Sequence, residues 1–185
     1  MNCSSGHIIE TERLILRAWR DADVDPFYAM SNDSAVMKYV GPFRSIEETR
    51  ASVEQLQHDQ LANGYCFWVI ERRADKAMIG FCGLNPGPED TPLEGRTEIG
   101  WRLAHHARGQ GYGREAAQAS LNWGFANLAD QTIWAITVPA NTRSWRLMER
   151  LGMVRQPDLD FDHPNVPVGN PLKRHITYCI GKPPV

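Results

Sequence analysis

The 185-residue sequence predicts a mixed α/β domain: a central sheet of about six to seven strands with helices on both faces. Two patterns carry this reading. Three strand-like stretches follow one another in mid-chain, as an antiparallel meander does. After them, strand and helix patterns alternate, which brings a parallel neighbour into the sheet. A glycine-rich turn, "RGQGYG" at residues 108–113, marks the change from one pattern to the other.

The elements follow in order. "IIETERLILRAW" alternates apolar and polar positions and reads as one first strand. "DADVDPFYAMSND" offers capping residues and a short helix with Pro26 near its start. A longer helix follows Ser45, whose hydroxyl and the Glu48 carboxylate form a capping box, and Gly64 ends it. "YCFWVIE" and "AMIGFCGL" form a hairpin across the polar loop "RRADK". "NPGPEDTPLEG" is a turn-rich loop. "RTEIGWRLA" is a strand, with Ile99, Trp101 and Leu103 on one face and Glu98, Gly100 and Arg102 on the other. The helix after the glycines sets Ala117, Leu121, Phe125 and Leu128 on one stripe. "TIWAITV" is a strand, and "NTRSWRLMERLG" a short helix capped by Asn141 and stopped by Gly152. Residues 156–172 hold too many prolines for regular structure, and "HITYCI" is a last strand. Residues 1–185 are expected to form a single domain.

Composition excludes several classes. The formal net charge of −2 argues against a general nucleic-acid binder. The four cysteines, Cys3, Cys66, Cys82 and Cys179, form neither a CxxC pair nor zinc-type spacing, so no metal site is expected and a reducing compartment fits. The first ten residues lack a basic-then-apolar leader pattern, and no apolar run reaches the ~18 residues that span a bilayer. A cytoplasmic protein is expected.

The glycine turn points to chemistry. A helix start leaves its first N–H groups without partners and carries partial positive charge. Glycines beside it admit another backbone or a ligand, so strand, glycine loop and helix together make an anion cradle. Arg108 and Arg114 would add charge-assisted contacts, and a phosphate or diphosphate is the expected anion. The spacing is neither GxxxxGK followed by Ser or Thr, nor GxGxxG in an early βαβ unit, so neither the P-loop nor the dinucleotide pattern is met.

"RGQGYG" matches the (Gln/Arg)-x-x-Gly-x-(Gly/Ala) signature of the GNAT superfamily of N-acetyltransferases. "ETERLILRAWRDADVDPFYAMSND", "TEIGWRLAHHARGQGYGREA" and "NTRSWRLMERLGM" resemble three blocks of its RimJ/RimL-like branch, the ribosomal-protein N-terminal acetyltransferases and their relatives. The resemblance runs over residues 8–181. It implies the GNAT fold, splayed between the fourth and fifth strands, and acetyl-CoA as cosubstrate. The diphosphate would lie on the backbone amides of Arg108, Gly109, Gln110, Gly111, Tyr112 and Gly113, beside Arg114. The pantetheine arm would pair with the main chain of Trp101, Arg102 and Leu103, and Asn141 would contact the pantetheine or acetyl region. Plain core packing also accounts for Trp101 and Leu103, and helix capping for Asn141.

The reaction the resemblance implies is direct attack of a primary amine, from a protein N-terminus or a small molecule, on the thioester. It needs a base and a proton for the departing thiolate. Glu98 is the candidate base: it sits on the central strand in an apolar setting, where burial raises a carboxylate's pKa. The alternative is a structural carboxylate that orients neighbouring backbone or pairs with Arg96 or Arg102. Ser144 is the candidate proton donor. Many members of the superfamily place a tyrosine seven residues after the asparagine, but Met148 stands there. That departure leaves Ser144 or solvent for the proton, and keeps open a non-catalytic acetyl-CoA-binding sensor on the same fold. The N-terminal helical region and the proline-rich loop would flank the acceptor, with Asp160 and Asp162 placed to receive a cationic amine. No membrane or direct nucleic-acid partner is expected, and a homodimer is compatible with the resemblance.

Overall fold

The computed structural model describes residues 7–183; Cys3 lies outside them. One mixed sheet runs through the molecule in the order β1-β2-β3-β4-β5-β6-β9-β7, with β8 added to β9. The strands are β1 (His7–Glu10), β2 (Leu14–Arg17), β3 (Phe67–Arg72), β4 (Met78–Pro86), β5 (Thr97–Leu103), β6 (Thr132–Thr137), β7 (Val154–Arg155), β8 (Phe161–Asp162) and β9 (Arg174–Gly181). The helices are α1 (Val24–Ser31), α2 (Ser34–Met37), α3 (Ile46–Asn63), α4 (Tyr112–Asn127) and α5 (Thr142–Arg150).

Nine strands exceed the six to seven expected, for two reasons. The predicted first strand is two. Thr11 folds the chain back, its amide donating to the Leu14 carbonyl and its hydroxyl oxygen accepting from the Leu14 amide, so β1 and β2 pair antiparallel. The proline-rich segment also holds two residues of strand, β8, and β7 precedes it.

Local signals act as their chemistry dictates in α3. The Ser45 hydroxyl accepts from the Glu48 amide, Glu48 accepts from the Ser45 amide, and Gly64 closes the helix at φ +81°. The predicted β3–β4 hairpin forms, and β4 continues antiparallel to β5. Between β5 and β6 the pairing is parallel but short: Thr97 faces Ile133 and Glu98 faces Trp134, and the register goes no further. Beyond Glu98 the two strands part, at the place expected for the splay.

The sheet's two faces are covered differently. On one, α4 lies so close that a Cβ at Gly113 would meet Leu103 Cδ1 at 3.0 Å, and one at Gly124 would meet Leu84 and Ile133. On the other, the α1 ring of Phe27 joins Trp19, Phe67 and Phe81 in an aromatic cluster with centroids 4.9–6.3 Å apart. A buried ion cluster fixes β2 to β3, with Arg17 donating to both oxygens of Asp23 and to Glu71. A hollow of about 600 Å³ lies over this cluster, whose own three side chains satisfy one another.

Candidate active site

The glycine turn has the geometry of a cradle. Gly109 and Gly111 adopt φ +78° and +85°, a region in which a β-branched side chain is strained. Gly111 is the N-cap of α4, and no side chain caps that helix start. The first amides of α4, on Tyr112 and Gly113, are therefore left without a side-chain cap at the positive end of the helix. Gly113 serves a different need, the close approach to Leu103 on β5. One glycine of the three is thus for packing and two are for the turn.

The loop is held from outside. Arg13 donates from Nε to Glu115 Oε2 at 2.7 Å and from Nη1 to the Gln110 carbonyl at 3.0 Å, and its guanidinium lies 4.7 Å from the Tyr112 ring centre. Thr11 donates to Glu115 at 2.6 Å. Arg108 turns inward, its guanidinium donating to the carbonyls of Leu103 and Ala35. Its side chain is thereby spent on positioning the loop against β5 and α2, while its main chain remains in the cradle. Arg114 is exposed on the first turn of α4, free of those ties.

β5 carries the next group. Trp101, Arg102 and Leu103 pair with Cys82, Phe81 and Gly80 of β4, and on the other side lie past the last β6 pair. Glu98 stands where the two strands part. It is half-buried, and burial alone pushes its carboxyl up from an ordinary 4.5 to about 8. It forms no ion pair with Arg96 or Arg102. Arg96 lies over the Trp134 ring at 4.1 Å, and Arg102 over the Phe81 ring at 5.1 Å. The structural-pairing alternative for Glu98 thus finds no partner in either arginine. Asn85 faces Glu98 across the β4–β5 register, and its Oδ1 is buried without a partner among the described residues.

On the far side of the cleft, Asn141 occupies the N-cap of α5, but its side chain does not cap. Its Nδ2 donates instead to Thr137 Oγ1 at 3.1 Å, tying the helix start to the end of β6. The correction is physical: the backbone of Asn141 has φ −82° and ψ +66°, outside the extended shape that aims a capping side chain at the helix amides. Ser144 is half-buried on the first turn of α5, its hydroxyl without a protein partner among the described residues. Met148, at the position of the missing tyrosine, is 1% exposed and belongs to the core.

The acidic acceptor pair looks different in place. Asp160 is bound through both carboxylate oxygens by Arg155 and also accepts from the Thr177 amide. Asp162 pairs with Arg174 at 3.4 Å on the exposed surface. Asp160 therefore anchors the loop to β9 and has little charge to offer a substrate. Asp160→Ala is expected to cost about 1–2 kcal/mol, lowering Tm by about 2–8 °C, as a half-buried charge pair would. Acceptor KM should stay unchanged; a raised KM at unchanged Tm would return Asp160 to the acceptor site.

Sequence reasoning missed three contributors: Thr137, Asn85, and the setting of the Arg102 side chain against α2. Thr137 and Asn85 are strand residues whose partners come from elsewhere in the chain, and no local pattern signals that. Among the described residues no group of three or more His, Cys, Asp or Glu is arranged to hold a metal, and no helix is long and apolar enough to cross a membrane.

The strand splay beside a glycine-rich helix start is the arrangement the family resemblance implied, and known proteins share it. The acetyltransferase (GNAT) domain family matches residues 13–154. The uncharacterized N-acetyltransferase YnaD of Bacillus subtilis (strain 168) is 34% identical over 174 residues, covering 93% of this chain and 95% of that protein. A GNAT-family acetyltransferase structure from Bacillus anthracis is 28% identical, with TM-score 0.77 over 94% of this chain and 97% of that one. RimL, the ribosomal L7/L12 α-N-protein acetyltransferase in complex with coenzyme A, shares the fold at TM-score 0.77 and 17% identity, over 95% of this chain and 97% of its own. The chain belongs to the GNAT family of N-acetyltransferases.

Proposed function

We propose that the protein transfers the acetyl group of acetyl-CoA to a primary amine by direct attack, with Glu98 as general base. The observation that carries this is the half-buried Glu98 at the point where β5 and β6 part, raised toward neutrality and free of any arginine partner. In this reading the diphosphate rests on the amides of residues 108–113, near Arg114, and the pantetheine pairs with the free edge of Trp101–Leu103. An amide on that edge polarises the thioester carbonyl as an oxyanion donor. The amine nitrogen bonds to the carbonyl carbon while Glu98 takes its proton, and the C–S bond breaks. The thiolate then takes a proton from Ser144 or from water. Asn85 Oδ1, across from Glu98, supplies a second acceptor for the amine. Asn141, held by Thr137, lines the opposite wall. A cytoplasmic location and a RimJ/RimL-like ancestry fit the same reading.

Met148 favours one second reading, an acetyl-CoA sensor without turnover, because it removes the usual tyrosine acid. CoA release measured with a panel of amines separates the two. Turnover with any amine is expected. Tight acetyl-CoA binding without transfer or hydrolysis would leave the sensor. In the same preparation, acetyl-CoA at 100 times its Kd should stabilise the fold by about 2.7 kcal/mol. Stabilisation by NAD, NADP or ATP alone would remove both readings.

A further inference from the structure

The face of β5 that carries Glu98 also carries Arg102, two positions beyond Gly100. This arginine is unusual in its company. Its Nη1 lies 3.8 Å from Met37 Sδ, a weak acceptor, and its guanidinium covers the Phe81 ring. No carboxylate meets it among the described residues. The charge that acts on it is Arg44, of the same sign. Burial and that like charge pull its pKa down to about 10. Protein surrounds it on most sides, yet it keeps solvent contact, as Glu98 does. Two groups that are enclosed and still wetted, on one face of one strand, mark the floor of a cleft.

Two other arginines shielded from water are held by carboxylates. Arg17 is held by Asp23 and Glu71, and Arg155 by Asp160. Among the described residues Arg102 has no such partner; Arg96 has none either, but its guanidinium lies over the Trp134 ring with Nη1 buried, whereas Arg102 keeps solvent contact. An enclosed guanidinium is costly without an anion, and a bound anion recovers part of that cost through charge-assisted hydrogen bonds.

The cleft lies on the acceptor side. The donor cradle and α4 occupy the face of the sheet that Leu103 reaches. Arg102 lies on the opposite face, against Met37 of α2 and the aromatic cluster under α1. Gly100 between the two charges lies against the Phe67 ring, which a Cβ there would strike at 2.9 Å, so that ring forms the apolar floor between them. Four residues of strand span about 13 Å. A small molecule lying over the Phe67 ring and hydrogen-bonded at both ends could bridge that distance together with the two long side chains.

Resting on the acetyltransferase reading above, we infer that the acceptor is a small amine that also carries an anionic group, a carboxylate foremost. Its nitrogen faces Glu98 and its anion docks on Arg102. A free amino acid meets this requirement, and a polyamine or a basic peptide N-terminus does not. A carboxylate on the same small molecule reaches the enclosed guanidinium without drawing a polypeptide into the cleft.

The test compares matched amines with acetyl-CoA saturating: glycine, β-alanine, 4-aminobutyrate and glutamate; taurine and 2-aminoethylphosphonate; ethylamine and ethanolamine; putrescine; and a tetrapeptide with a free N-terminus and an amidated C-terminus. The expected result is kcat/KM at least about 30-fold higher for one or more carboxylate amines than for neutral amines of equal length. If taurine or the phosphonate leads instead, the anion on Arg102 is a sulfonate or phosphonate, and the anionic-amine assignment holds. Arg102→Gln should collapse the anionic-to-neutral ratio to near one, through a rise in KM of about 10–100-fold for the anionic amine. Arg102→Lys should restore part of it. Arg44→Glu changes an exposed residue, offers an internal carboxylate, and should lower the ratio about tenfold. Calorimetric binding of the same amines to the CoA-bound protein reads the preference without turnover. Preference for ethylamine, putrescine or the peptide overturns the inference while leaving the acetyltransferase intact. So does an Arg102→Gln variant that weakens acetyl-CoA tenfold and keeps the ratio, for the guanidinium would then serve the donor. Absence of calorimetric binding by every anionic amine overturns it as well, whatever the turnover assay shows. Anionic amines that bind with Arg102-dependent preference but are never acetylated would support the site and reject the catalytic reading.

Discussion

Glu98→Gln is expected to lower kcat/KM by about 10²–10⁴-fold at pH 9, the span that removal of a general base produces. The pH dependence gives the sharper reading. A carboxyl held near 8 is about one-tenth ionised at pH 7 and about nine-tenths ionised at pH 9. The wild-type rate constant should therefore carry a rising limb centred near pH 8 that the glutamine lacks. The acceptor's own amine also loses its proton as pH rises, but it does so equally for both proteins. The ratio of wild type to variant isolates Glu98, and should widen about tenfold between pH 7 and pH 9. Parallel profiles would leave Glu98 a structural group.

The same residue makes a thermodynamic prediction of known sign. Between its unfolded value of 4.5 and its folded value near 8, the native state binds the proton and the unfolded state does not. Stability therefore falls as pH rises through that window, and the loss is complete above pH 8. Glutamine cannot ionise, so Glu98→Gln should melt higher than wild type at pH 8.5 and close to it at pH 4.5. Even one pKa unit of the shift, allowing for the carboxyl's partial exposure to water, is about 1.4 kcal/mol, or about 3–6 °C. Activity falling while stability rises would be the mark of a group kept for function at a cost to the fold.

Gly111→Val is the second large effect. At φ +85° a β-branched residue is strained, and a Cβ there meets Arg13 Nη2 at 3.3 Å. The turn must open to relieve this, which moves the amides of Tyr112 and Gly113 away from the diphosphate. Acetyl-CoA affinity should fall at least about 100-fold, measured calorimetrically, with acceptor affinity changed far less. Apo-protein melting serves as the control, because the turn is exposed and its strain should cost only about 1–3 kcal/mol. Unchanged acetyl-CoA affinity would remove the diphosphate from this loop.

What the sequence made legible was what chemistry writes locally. Ser45, Glu48 and Gly64 bound α3 because each acts within a turn of itself. The three glycines marked a tight turn before a helix, and in the structure Gly109 and Gly111 take the positive φ that few other residues adopt. Glu98 stood out because a carboxylate on an apolar central strand has few bland uses. Misreadings arose where the deciding partner was remote or the signal too short. The Thr11 hydroxyl breaks one predicted strand into two, and two-residue strands such as β7 and β8 carry no periodicity. Asn141 looked like a cap until Thr137 took its amide. Asp160 looked available until Arg155 and the Thr177 amide claimed its oxygens. Arg108 is part of the loop's frame because its carbonyl acceptors, on Leu103 and Ala35, come from two other elements. Each of these facts belongs to the tertiary structure, and no window of sequence contains it.

The clamp of Thr11 and Arg13 on Glu115 and Gln110 has a consequence for the order in which the molecule assembles. Its halves lie about a hundred residues apart in the chain. Closing so long a loop carries an entropic cost that a local turn avoids, and contacts of this range slow folding. The helix of the cradle can form early, but its loop is braced only once the opening turn has come home. Competence to hold the donor should thus be among the last properties a refolding chain regains. In a stopped-flow experiment, acetyl-CoA capture should lag behind recovery of helical signal, and trimming the chain to begin at Leu14 should lengthen that lag or abolish capture.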